Sequence, residues 1–325
     1  MKIGIFGTGA YGMALASILS ENKHDITMWT KFKEEKDLLI KDRGNQKLLP
    51  GFFLDNNIKI TNNINECAKD KDLLVIAIPA AFVTDLCSEL SYVVDKDVNI
   101  CIASKGIEQN SGLFVHQIVG NYIDSENIAV ISGPSFAVDV VTKKPIGLTL
   151  ATTSINAKNV VNKAFRNDYV KLRHTNDIIG TEICGSIKNV IALASGILGG
   201  LNASDSTRAM FITESIHDIE EIIDAFDGDR RTVLSFAGFG DLLLTCTSIT
   251  SRNYSYGKLV GERKSKEELD NYVKNTTVEG YYTLESIYQL LNDKNVSIPI
   301  IDLIYNIIKN DKNPKELLTF LVTKV

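Results

Sequence analysis

The chain has 325 residues, 44% of them hydrophobic and 23% charged, with a net charge of −5. That length suggests two domains with sizeable cores, and the absence of a basic block argues against nucleic-acid binding. No run reaches the roughly 18 apolar residues a membrane helix needs, so no membrane insertion is expected.

Lys2 to Phe6 reads as a buried strand that runs into Gly7-Thr8-Gly9-Ala10-Tyr11-Gly12, and Met13 to Leu19 reads as helix. This is the strand–turn–helix setting in which a G-x-G-x-x-G loop binds a dinucleotide. Gly7 permits the sharp turn, Gly9 leaves room for a pyrophosphate, and Gly12 lets the helix lie close to the sheet. Asp25 to Trp29 suggests a second strand and Lys31 to Lys41 a helix. Further strands are expected at Leu73–Ile78, Val98–Ala103, Ile128–Ile131, Ile146–Ala151 and Tyr169–Leu172. Helices are expected between them at Ala80–Leu90, Gly112–Val119 and Ser154–Phe165. The alternation predicts a Rossmann-type doubly wound α/β sheet.

After Asp177 the spacing becomes helical: Glu182–Ile197, Thr207–Phe226, Val233–Leu244, Thr283–Leu291, Leu303–Ile308 and Glu316–Val322. We therefore expect a dinucleotide-binding domain over 1–179 and an all-helical domain over 180–325. Ser248 to Lys258 reads as a polar loop facing an interdomain cleft.

On the cofactor side, the second strand ends at Trp29 without a carboxylate for a ribose 2′-hydroxyl. Lys31 and Lys33 follow, and Glu34 comes later, inside the expected helix. This pattern reduces repulsion of a 2′-phosphate, so NAD or NADP is expected, with NADP preferred. Phe82 follows the Leu73–Ile78 strand and could lie against the cofactor or simply pack. Lys105, after Val98–Ala103, is placed to meet negative charge. Ser132-Gly133-Pro134-Ser135-Phe136-Ala137 offers a hydroxyl and backbone N–H groups to an anion.

On the catalytic side, Lys188 sits in an apolar helical run, where burial disfavours its charge and makes it a candidate base. Asp241 could fix that ammonium group, bind substrate hydroxyls or cap a helix. Ser251-Arg252-Asn253 combines a guanidinium with hydroxyl and amide donors, which suits a phosphate. The four histidines form no metal-ligand spacing, and no metal site is expected. Glu214, Asp218 and Glu221 share a helical face read as solvated. The five cysteines form no C-x-x-C pair and read as buried free thiols in a reducing, cytoplasmic setting.

Taken together, these motifs resemble the bacterial-type soluble NAD(P)-dependent glycerol-3-phosphate dehydrogenases over essentially the whole chain. The markers are GTGAYGMALA from Gly7, VIAIPA from Val75, SKGIE from Ser104 and SGPSFA from Ser132. The later part adds KNVIALASGILGGLNASDSTRA from Lys188, GFGDLLLTCTSITSRNYSYG from Gly238 and VEGY from Val278. The resemblance implies that Lys188 is the proton acceptor. It implies substrate contacts from Lys105, Gly133, Ser135, Lys188, Asp241, Ser251, Arg252 and Asn253. Besides Gly7, Gly9 and Gly12, it implies cofactor contacts from Ala10, Tyr11, Lys31, Lys105, Ala137, Arg252 and Glu279. The family often has arginine where Lys31 stands; lysine keeps the charge but lacks the flat guanidinium. The implied reaction interconverts dihydroxyacetone phosphate and sn-glycerol 3-phosphate, in a cytoplasmic homodimer that supplies phospholipid synthesis.

Two rival readings remain at this point. One is a two-domain dehydrogenase of hydroxy acids or sugar acids; the other is a non-catalytic NADP-sensing protein. Gly240-Asp241 with Arg252-Asn253 favours a phosphorylated polyol over the first, and a plausible base together with anion ligands argues against the second.

Overall fold

The computed structural model describes residues 1–109 and 111–324. The chain divides into two compact units. The first holds Met1–Lys105 and Phe114–Ile178; the second holds Gly106–Leu113 and the chain from Ile179 onward. The division differs from a single cut at 179/180, because residues 106–113 leave the sheet-bearing part and count with the helices.

The first unit is built on eight strands: β1 (Lys2–Phe6), β2 (Asp25–Trp29), β3 (Lys59–Thr61), β4 (Leu73–Ile76), β5 (Asn99–Ile102), β6 (Ile128–Ser132), β7 (Ile146–Ala151) and β8 (Val170–Thr175). Their order is β3-β2-β1-β4-β5-β6-β7-β8. β1 pairs in parallel with β2 on one side and with β4 on the other, so the winding reverses beside β1. A ligand site is expected at the carboxyl ends of strands next to such a reversal. β7 runs antiparallel to β6 but parallel to β8. The β4 run Leu73-Leu74-Val75-Ile76 is fully buried, as a strand covered on both faces must be. The helices of this unit are α1 (Ala10–Glu21), α2 (Lys33–Asp42), α3 (Ile64–Ala68), α4 (Val83–Leu90), α5 (Val115–Tyr122), α6 (Ala137–Val141) and α7 (Ile155–Phe165). Sequence periodicity missed β3, α3 and α6, each of five residues or fewer.

The second unit holds α8 (Ile178–Gly200), α9 (Asp205–Ala225), α10 (Asp241–Thr247), α11 (Arg252–Gly261), α12 (Lys266–Asn275), α13 (Glu279–Asp293), α14 (Pro299–Lys309) and α15 (Glu316–Thr323). Among its described residues no strand occurs. By length and composition α8 could cross a membrane, contrary to the reading that no run is apolar enough. However, 89% of its apolar window is buried inside the protein, which marks a core helix.

Three expectations are corrected here. The supposed loop over 248–258 is mostly α11: the Ser251 hydroxyl accepts the Tyr254 N–H at 3.3 Å, and Tyr254, Tyr256 and Val260 are buried. A capped start and a buried face outweigh the polar composition. The single helix expected at 233–244 is instead a 3₁₀ turn, a π turn and α10. Ser235 starts the π turn by accepting the Gly238 N–H. The acidic face of α9 is not solvated at Asp218, which is 2% exposed and accepts a 2.7 Å bond from Lys324. Lys324 also lies 3.3 Å from Glu214, so a cation just beyond α15 covers this part of the face; Glu221 remains exposed.

All five cysteines are buried and unbridged. Burial pushes the Cys67 and Cys87 thiols up to about 12.

Candidate functional site

In the first unit the glycine loop follows β1, and each glycine has a separate steric reason. Gly7 has φ +122°, and a Cβ there would sit 2.4 Å from the Ala77 carbonyl oxygen. A Cβ on Gly12 would sit 2.2 Å from the Gly7 carbonyl oxygen. Gly9 is different: an added Cβ meets nothing within 4 Å. The space over Gly9 therefore opens outward at the N-cap of α1. Glycine there has no side chain to satisfy the first helical N–H groups. An open cradle at a helix start, lined by N–H donors, fits the pyrophosphate of a dinucleotide.

Neighbouring loops gather at the same strand ends. The Ser104 hydroxyl donates to the Ile78 carbonyl at 2.6 Å, tying the turn before Lys105 to the chain leaving β4. Ser135 donates to the Gly133 carbonyl at 3.0 Å, so the Tyr11 hydroxyl, also 3.0 Å away, donates to Ser135. Tyr11 at the start of α1 is thus joined to the turn that carries Gly133 and Ser135. Ala10 and Ala137 are half-buried first residues of α1 and α6.

Phe82 is 58% exposed, one of several large hydrophobic side chains at the surface. Sequence reasoning overlooked Phe32, 64% exposed in the loop after β2. Lys31 and Lys33 are exposed beside it. The strand end is also less bare of carboxylate than the sequence suggests. The Thr30 hydroxyl donates to Glu35, which reaches back from the first turn of α2.

In the second unit Lys188 lies on α8 and Asp241 opens α10. Lys188 Nζ donates to Asp241 Oδ1 at 2.6 Å and to Thr245 Oγ1 at 3.2 Å. Thr245 in turn donates to the Asp241 carbonyl at 2.6 Å. The lysine and aspartate are 7% and 2% exposed. A buried ammonium needs such a partner, and Asp241 fills that role; at the first position of α10 its carboxylate is not a free cap. Thr245 was not among the residues singled out by sequence.

Close helix packing sets the remaining geometry. A Cβ on Gly257 would lie 1.9 Å from the Leu193 carbonyl oxygen, and one on Gly261 would lie 2.3 Å from that of Ile197. These contacts keep one register, so α11 runs beside α8 in the same direction, and Asn253 falls opposite Asn189. Asn253 Nδ2 donates to Asn189 Oδ1 at 2.9 Å, and Asn189 Nδ2 donates to Glu279 at 3.1 Å. The Gly280 N–H closes the chain on Asn253 Oδ1 at 2.9 Å. Asn253 and Glu279 are therefore locked together through Asn189, the residue after the lysine. Ser251 caps α11 and Arg252 is its exposed first residue. A guanidinium at a helix start provides two independent attractions for a phosphate.

Among the described residues no group of three or more metal-ligating side chains occurs. His174 bonds the Thr152 carbonyl at 3.0 Å, a structural use.

Two family models match the chain, one over each half. The family model "NAD-dependent glycerol-3-phosphate dehydrogenase N-terminus" matches residues 2–158, and the corresponding C-terminus model matches 177–319. A glycerol-3-phosphate dehydrogenase [NAD(P)+] of Staphylococcus haemolyticus (strain JCSC1435) is 34% identical, covering 97% of this chain and 96% of its own length. One from Thermoanaerobacter sp. (strain X514) is 35% identical over 100% of this chain and 97% of its own. The crystal structure of glycerol-3-phosphate dehydrogenase from Coxiella burnetii superposes with a TM-score of 0.93 at 26% identity, covering 99% of each chain. The ordered motifs, the glycine cradle and the paired Lys188 and Asp241 thus coincide with matches across both halves, and the chain belongs to the NAD-dependent glycerol-3-phosphate dehydrogenase family.

Proposed function

We propose that the chain catalyses reversible hydride transfer between NAD(P)H and dihydroxyacetone phosphate, yielding sn-glycerol 3-phosphate and NAD(P)+. The observation that carries the chemistry is the buried Lys188, held by Asp241 and Thr245 next to the Asn189–Asn253–Glu279 network. The nicotinamide supplies the hydride when bound. Lys188 Nζ accepts the proton of the C2 hydroxyl in the oxidative direction. In reduction its ammonium form polarises the ketone oxygen and returns that proton. Asp241 orients the amine, and Arg252, with Ser251 and Asn253 beside it, holds the phosphate.

Lys105 adds positive charge for the phosphate, and Gly133 with Ser135 completes the anion-binding turn. The cradle of Gly7, Gly9 and Gly12, with Ala10, Tyr11 and Ala137, takes the dinucleotide. Lys31 offers charge to a 2′-phosphate, which supports acceptance of NADP. Glu279, anchored by Asn189, contributes from the helical unit. A homodimer and a cytoplasmic setting that supplies phospholipid synthesis complete the reading.

The test is a hydride-transfer assay on purified protein with dihydroxyacetone phosphate, its unphosphorylated analogue and both cofactors. Turnover restricted to the phosphorylated ketone supports the reading. Turnover of hydroxy acids in its place overturns it.

A further inference from the structure

The sequence after β2 reads as bare of carboxylate, with two lysines welcoming a 2′-phosphate. The fold alters that balance. Thr30 is the first residue beyond β2 and is 3% exposed. Its Oγ1 accepts the Phe32 N–H at 3.3 Å and its hydroxyl donates to Glu35. The turn from strand to helix is thereby closed around Thr30, and a half-buried carboxylate is brought back to the strand end. In dinucleotide folds, this end of the second strand is where an acidic residue meets the ribose 2′-hydroxyl. Glu34, one residue earlier, is exposed on α2 and makes no such return.

We propose that Glu35 is a specificity-determining residue that restrains the preference for NADP and keeps NAD competitive against the pull of Lys31. The proposal rests on the nucleotide-binding reading of β2 given above. Its physical content is charge. A carboxylate beside the 2′ position repels a phosphate there and leaves a hydroxyl unopposed, while Lys31 and Lys33 act in the other direction. Because both influences act near solvent, added salt must weaken them.

Equilibrium binding of NAD+ and NADP+, measured by calorimetry without substrate, tests this without turnover. Glu35→Gln keeps an acceptor for Thr30 and removes only the charge. It should raise affinity for NADP+ relative to NAD+ on the order of fivefold at low salt, with the gain shrinking at high salt. Glu34→Gln, with the same charge change one position away, should leave the ratio near the wild-type value. An equal shift in both variants overturns the proposal in favour of net charge alone. An unchanged ratio in Glu35→Gln, while Lys31→Gln lowers NADP+ affinity, overturns the role of Glu35 and leaves the nucleotide reading standing. No change in the ratio with either Lys31→Gln or Glu35→Gln shows that the 2′ position lies elsewhere, and both ideas fall.

Discussion

Lys188 and Asp241, 53 residues apart in sequence, face each other at 2.6 Å with only 9% and 3% of their side chains exposed. Removing one member of such a buried pair leaves an uncompensated charge, with a typical cost of about 3–5 kcal/mol. Lys188→Ala should therefore lower stability to urea as well as abolish turnover, by a factor of roughly 10² to 10⁴. Replacing both, as Lys188→Met with Asp241→Leu, should recover much of the stability and none of the activity. Urea titrations and initial rates on the three proteins check this. Full stability in Lys188→Ala would contradict the buried pair.

Two glycines of the nucleotide loop should separate folding from binding. Gly9→Ala has open space and should melt like the parent protein, yet its methyl group projects into the space proposed for the pyrophosphate. Cofactor affinity should fall about tenfold, equivalent to ~1.4 kcal/mol. Gly12→Ala drives a methyl group against the Gly7 carbonyl and should destabilise the fold itself. Thermal melts paired with nucleotide titrations distinguish the two outcomes.

Arg252 stands exposed at the start of α11, where its contribution should depend on the substrate's phosphate. Arg252→Ala should reduce kcat/KM for dihydroxyacetone phosphate by roughly 10- to 100-fold, the range of a lost charged hydrogen bond. The same change should hardly affect dihydroxyacetone itself. Equal losses on the two substrates would remove Arg252 from the phosphate site.

His24 predicts an acid-side weakness. Burial, and then the neighbouring N-terminal ammonium, hold its imidazole below the ordinary value of 6.5. The folded state therefore binds this proton less readily than the unfolded state. Its contribution to stability is complete above pH 6.5 and is lost as pH falls from there through the lowered folded value. Melting temperature should decline across that window, and His24→Gln should flatten the decline. An identical pH slope in the variant would assign the effect to other groups.

Much of the fold was legible because long apolar runs have few alternatives. Residues 146–151 form a strand over the predicted span, and Asp25–Trp29 likewise. The exceptions are instructive. Ser248 to Lys258 looked like a loop because its polarity hid a helix whose buried side is made of tyrosine and glycine. The spacing Asn253-x₃-Gly257-x₃-Gly261 was the available signal, since small residues every four positions let two helices approach closely. Lys188, Asp241 and Arg252 stood out in sequence because charges in apolar or glycine-rich settings demand an explanation. Thr245, Asn189 and Glu35 did not, because ordinary polar residues gain meaning only from the partners that folding brings to them.

Residues 106–113 carry a consequence for anyone wishing to dissect or recombine this protein. The polypeptide leaves the sheet unit after Lys105, contributes a short excursion to the helical unit, and re-enters at Phe114. That excursion is fastened by the Gly106 N–H, which donates to the buried Ser186 hydroxyl at 3.1 Å on the helix that bears Lys188. A gene fragment beginning at residue 179 would encode the helical unit without this clip. A chimera joined there would inherit the clip from the wrong parent. Exchange of halves between relatives has to move eight residues from inside the other half as well, so a single crossover cannot swap the two modules cleanly.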